Sequence, residues 1–118
     1  MEKKTSTDCT PNDIKIVETV SEELANSQNI DTVANFLQII SDPTSLKIIM
    51  IFEHHEVSVN DIAVLMNMTK SAVSHQLKVL KNAGYIKDRR SGKNKYYSLF
   101  DEHIMVIIHS AYDHVNHC

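Results

Sequence analysis

Apolar residues recur at intervals of three and four along most of this chain and give way to a β-prone stretch only between Tyr85 and Phe100. Such spacing marks one face of a helix. Ile14, Val17, Val20 and Leu24 predict a first helix running to about Asn26, with Asn12 or Asp13 as its cap. Val33, Phe36, Leu37 and Ile40 predict a short second helix, capped by Asp31 or Thr32. Ser41-Asp42-Pro43 breaks and restarts the chain, because proline suits a first helical position and Asp42 or Ser41 can cap it. The third helix, Thr44 to about His54, carries Leu46, Ile49, Ile51 and Phe52 and is expected to be buried.

From Ser58 the pattern is that of a helix-turn-helix, over about 58–82. Val59, Ile62, Ala63 and Leu65-Met66 form a short amphipathic helix, Asn67-Met68-Thr69 turns, and Thr69 or Ser71 caps a second helix through about Asn82. On that helix Val73, Leu77 and Leu80 face inward, while Lys70, Ser71, Ser74, His75 and Lys78 share the opposite face. Ala83-Gly84 ends it, with Gly84 in the left-handed position. The stretches 85–90 and 95–100 are β-prone and flank Ser91-Gly92-Lys93-Asn94, a four-residue turn with glycine, so 85–100 reads as a hairpin. A last helix covers about 101–117, with Asp101 as a candidate cap. The fold class is therefore mainly α with a β-hairpin, a winged helix-turn-helix. Residues 1–11 read as a loose polar arm and 12–118 as one DNA-binding and dimerisation domain, within the size that one modest core can support.

Charge changes this picture more than composition does. The net charge is −3, yet between Met68 and Tyr97 there are eight basic residues (70, 78, 81, 87, 89, 90, 93, 95) against Asp88 alone, a balance of +7. The remainder carries −10. A positive stripe on an acidic chain is the electrostatic footprint of a nucleic-acid surface, although a solvated charged face has the same composition. Ser71, Ser74, His75 and Gln76 suit base edges in a major groove, and Lys70 and Lys78 suit phosphates. Arg89, Arg90, Lys93 and Lys95, at or near the hairpin tip, suit phosphates or the minor groove. The partner is then double-stranded DNA. No apolar run approaches a membrane span and the N-terminus lacks a signal peptide's core, so a cytoplasmic location is expected. In that compartment a disulfide between Cys9 and Cys118 is not expected.

The last helix carries the other candidate chemistry. Asp101 and His103 lie at one end and His114 and His117 at the other, all of them metal-ligand types. At about 100° per residue the three histidines fall within roughly 60° of one another, apart from the apolar stripe of Ile104, Met105, Ile108, Tyr112 and Val115. From His103 to His114 is about 16 Å of helix, whereas ligands of one zinc ion lie about 2 Å from it. One helix cannot close one site, but two copies antiparallel about a two-fold axis can, which implies a homodimer with two equivalent intersubunit sites. Three imidazoles and a carboxylate suit tetrahedral Zn(II) or Co(II). His109 points away from the stripe and reads as a surface histidine, and Cys118 offers a soft donor at a terminus prone to fraying. Glu53-His54-His55-Glu56 invites a metal reading too, but neighbours on a helix diverge, so a polar helix end and loop is expected.

Three stretches resemble the ArsR/SmtB family of metal-sensing winged-helix repressors: Ser41-Asp42-Pro43-Thr44-Ser-Leu-Lys-Ile, Ser71-Ala-Val-Ser-His-Gln-Leu-Lys-Val-Leu80, and Arg90-Ser-Gly-Lys-Asn-Lys-Tyr-Tyr-Ser-Leu99. The resemblance spans roughly residues 30–118. Thiol-type sensors of the family carry a Cys-x-Cys pair where this chain has Ser58 and Asn60, so that site is absent here. The family's C-terminal pattern Asp-x-His…His-x-x-His matches Asp101, His103, His114 and His117, that of the zinc/cobalt-sensing branch. The resemblance implies a repressor that binds operator DNA when metal-free and is released by zinc or cobalt, controlling metal efflux or resistance genes. It also implies that a metal-bound imidazole, His114 here, donates its other N–H to a backbone carbonyl near Gly84. Two rivals are a winged-helix regulator answering to a redox or small-molecule signal, and a small zinc hydrolase. A four-ligand site leaves no open position for catalytic water, so an enzyme is not expected.

Overall fold

Local signals start and stop most of the helices. In the computed structural model, which describes residues 7–117, helix α1 spans Ile14–Asn26 and the Asp13 carboxylate accepts the Ile16 N–H at 3.1 Å. Helix α2 spans Ile30–Ile39. Its expected caps, Asp31 and Thr32, lie inside the first turn, because Asn29 takes a left-handed conformation at φ 64° and turns the chain directly into the helix. Asp42 caps α3, Pro43–Ile51, by accepting the Ser45 N–H at 3.1 Å, with Pro43 in the first turn. This helix stops at Ile51 rather than near His54. The N–H groups of Phe52 and Glu53 turn back to the carbonyls of Ile49 and Met50, a tightening that ends the α-helical ladder.

The chain forms two compact units, the first ending at Val33 and the second starting at Ala34. In the first, α1 buries none of its residues. The second holds the core. Helix α4, Val59–Met66, is capped by Ser58 and closed by Asn67 at φ 54°, and α5, Lys70–Asn82, is capped by Thr69. Strands β2, Ile86–Ser91, and β3, Asn94–Leu99, pair antiparallel from Ile86↔Leu99 to Ser91↔Asn94. The hairpin turn is therefore two residues, Gly92-Lys93, rather than four. Gly92 at φ 61° supplies the left-handed geometry that so tight a turn needs.

A further strand, β1, Val57–Ser58, was not legible in the sequence. It pairs with β3 through Val57↔Tyr97 and Ser58↔Tyr96, giving the order β1-β3-β2. Ile48, Ile49, Ile62, Val73, Leu77, Leu80, Tyr85 and Ile86 close the core, and Ile104, Met105 and Ile108 of α6, His103–Asn116, dock on it. Tyr85 stacks on Phe36, with ring centroids 4.0 Å apart, and donates its hydroxyl proton to the Phe36 carbonyl. Each fully buried aliphatic side chain contributes about 1.5–3 kcal/mol. No described helix is long and apolar enough to cross a membrane.

Candidate nucleic-acid interface and metal-ligand helix

Burying Val73, Leu77 and Leu80 fixes the rotation of α5 and leaves Lys70, Ser71, Ser74, His75 and Lys78 exposed on its other side. Gln76, expected beside them, is half-buried instead, and its Oε1 accepts from the Ser45 hydroxyl at 3.3 Å, tying α5 to α3. Gly84 closes α5 at φ 87°, and its N–H donates to the Lys81 carbonyl.

The hairpin sorts its cations into engaged and free. Arg90 and Lys93 are exposed and make no polar side-chain contact among the described residues. Arg89 is held by both oxygens of Glu56, at 2.9 and 2.8 Å, with its guanidinium 5.3 Å from the centre of the Tyr96 ring. That hydrogen-bonded pair lowers the Glu56 carboxyl below its ordinary range. Lys95 shares Asp88 with Lys81, at 3.7 and 3.0 Å, and the Lys81 bond lowers the Asp88 carboxyl. Sequence reading missed these acids. One signal was available: Asp88 is the single acid in a stretch of eight cations.

At the other end of the hairpin, three residues lead from β3 into α6. Asp101 precedes the Glu102 cap position, yet its Oδ1 accepts the His103 N–H at 2.9 Å and its Oδ2 lies 3.3 Å from His103 Nδ1. These two residues are brought together. His114 is exposed in the last turn and His117 sits just beyond it, at an extended C-cap position. The two ends remain a helix length apart, and among the described residues no group of three metal-binding side chains converges within the chain. The donor types fit zinc or cobalt, and two of the four expected ligands lie at each end of α6. His114 and Gly84 share no hydrogen bond among the described residues.

His109 is exposed as expected, but it is engaged: its Nε2 lies 2.7 Å from Glu53 Oε2, which is also 3.7 Å from His54. The His109 contact links α6 to the turn that follows α3. The apolar stripe of α6 departs from expectation. Ile104, Met105 and Ile108 are buried, Tyr112 is partly exposed with its hydroxyl 3.5 Å from Met50 Sδ, and Val115 is 74% exposed. Ile107, Tyr112 and Val115 line an open apolar groove of about 300 Å³ with Ile40 and Leu46. Cys9 is a free, exposed thiol, and Cys118 lies outside the described residues.

Residues 42–88 match the model of bacterial regulatory proteins of the arsR family. The chain is 35% identical over 99 residues to a transcriptional repressor SmtB homolog of Synechocystis sp., an alignment spanning 84% of this chain and 75% of that protein. It is 35% identical to a cadmium resistance transcriptional regulatory protein CadC homolog of Staphylococcus aureus, spanning 83% and 81%. A homodimeric winged helix-turn-helix DNA-binding domain from Mycobacterium bovis superimposes with a TM-score of 0.68 at 25% identity, covering 79% of this chain and 94% of that one. Fold, motif and sequence agree, and the chain belongs to the arsR family of bacterial regulatory proteins.

Proposed function

We propose that this protein is a homodimeric transcriptional repressor that holds operator DNA when metal-free and releases it when Zn(II) or Co(II) binds between two C-terminal helices, so controlling metal efflux or resistance genes. One observation carries the reading: only three residues separate the wing strand from α6, with Asp101 and His103 already paired at the wing end and His114 and His117 exposed at the far end. Asp101 and His103 of one protomer and His114 and His117 of its partner would hold the ion. Bound there, the ion supplies a cross-link between chains. The exposed flank of α6, with Val106 and Ile107 beside the histidine stripe, gives a second helix an apolar surface to pack on.

Lys70 and Lys78 then neutralise phosphates, Ser71, Ser74 and His75 read base edges, and Arg90 and Lys93 reach the backbone from the wing tip. Two recognition helices on one dimer axis read half-sites about one helical turn apart. Release requires that the ion favour the low-affinity conformation, with a coupling of about 1–3 kcal/mol. The names of the relatives support the repressor and, for the cadmium-resistance regulator, the metal. The ligand types argue for zinc or cobalt over cadmium here, because Ser58 and Asn60 replace the thiolates of the Cys-x-Cys site.

The test uses operator fragments selected from random duplexes by the chelated protein, with DNA binding followed as Zn(II), Co(II), Ni(II) or Cd(II) is added. Zinc or cobalt should release the parent. His114→Ala should bind the same DNA normally and need at least about tenfold more zinc for release, about 1.4 kcal/mol of lost metal-binding free energy. Parent-like release by this variant sinks the proposed site, and absence of stoichiometric zinc or cobalt uptake by the parent favours a non-metal signal.

A further inference from the structure

The cleft between α5 and the hairpin is lined by cations and contains an acid. Lys78, Lys81 and Lys95 line about 380 Å³ together with Ser74, so the cleft adjoins the exposed face of α5. Asp88 sits among them. Its side chain is only 16% exposed, against 49% for Lys81 and 42% for Lys95, and a single oxygen, Oδ2, receives both ammonium groups at 3.0 and 3.7 Å. A phosphate oxygen on the same spot would meet the same two donors.

We propose that Asp88 is an internal stand-in for a DNA phosphate, which occupies the cation cleft beside the recognition helix and withholds positive charge from sequence-independent contact with the duplex. This rests on the DNA-binding reading above and adds a role for an acid within it. The other hairpin carboxylate pair cannot serve the same purpose. Arg89 follows Asp88 on β2 and so points to the opposite face of the sheet, where Glu56 and Tyr96 hold it. The bond from Lys81, with the charge of Lys95 beside it, also holds the Asp88 carboxyl below its ordinary range.

Sequence-independent affinity for DNA grows with the number of phosphates neutralised, and each one steepens the salt dependence by about 0.9 in log–log slope. A fixed negative charge in the cleft cuts that number while leaving Ser71, Ser74 and His75 free to read bases. Affinity for non-operator DNA falls more than affinity for operator, which is discrimination by a built-in repulsive element.

The experiment measures binding of the chelated full-length protein to a random-sequence duplex across a salt series. Asp88→Asn should bind more tightly than the parent with a slope steeper by about 0.9, equivalent to an extra 3.5-fold or so loss of affinity between about 50 and 200 mM salt. Asp88→Glu, which keeps the charge, should retain the parent slope. A parent-like slope for Asp88→Asn overturns the proposal. If Asp88→Asn alone fails to fold, Lys81→Gln/Asp88→Asn, which replaces the Lys81–Asp88 ion pair by two neutral amides, is compared with Lys81→Gln. The double variant should be steeper by about 0.9, and equal slopes overturn the assignment. No binding of the parent to any duplex would instead sink the DNA-binding reading itself.

Discussion

Helices α5 and α6 are of similar length, 13 and 14 residues, and each buries three apolar residues against the same core. They differ on the face they leave outside. That of α5 carries lysines and short hydroxyl side chains, whereas that of α6 mixes histidines with exposed Val106, Ile107 and Val115. A buried stripe says how a helix is held. The uncovered face bears on the proposed roles: a solvated cationic surface suits a polyanion, and an apolar surface bordered by imidazoles suits the second helix and shared metal ion proposed above.

The largest test of this contrast is stability. Leu77→Ala on α5 removes a fully buried side chain and should lower the unfolding free energy by about 2–5 kcal/mol in urea titration. Val115→Ala on α6 should change the stability of an isolated protomer by no more than about 0.5 kcal/mol. Equal losses would show that Val115 is core after all. Next comes association. Ile107→Glu should weaken dimerisation at least about tenfold in sedimentation experiments, about 1.4 kcal/mol, while leaving the monomer folded. An unchanged dimer would move the interface off this face.

Alkali should act on the α5 side, where Tyr85 follows the helix. Burial raises its phenol from an ordinary 10.0 to about 12 and also raises that of Tyr97. The folded state therefore keeps a proton that the unfolded chain loses. The stabilisation is fully present below pH 10.0 and is lost as pH climbs towards about 12. Tyr85→Phe should cost about 0.5–1.5 kcal/mol at neutral pH, through the lost bond to Phe36, and flatten part of that alkaline decline in thermal melts. The smallest effect belongs to a single phosphate contact. Lys78→Ala should make the salt dependence of DNA binding shallower by about 0.9, and a slope that does not move would place Lys78 outside the interface.

Most of the fold was legible in sequence because its signals are local. Asp13, Asp42 and Thr69, each one of two candidate caps, cap their helices, and Val73, Leu77 and Leu80 are buried as their spacing predicts. Strand β1 was hidden because two residues have no periodicity; Val57-Ser58 becomes a strand only where β3 offers an edge. In the candidate sites, sequence supplied the residue types and the spacing but not their engagement. Gln76 was read as facing DNA and meets Ser45, 31 residues away; Arg89 was read likewise and meets Glu56, 33 residues away.

The sequence by itself determined the helical faces, most caps, the glycine-bearing hairpin, the basic stripe and the placing of Asp101 and His103 at one end of α6 and of His114 and His117 at the other. These follow from spacing and from bonds that reach no more than about four residues. The tertiary structure decided which charges are free. It gave Arg89 to Glu56, Lys81 and Lys95 to Asp88, and His109 to Glu53, and it left Val115 outside the core. Those outcomes depend on where distant segments of chain come together, which no local spacing specifies.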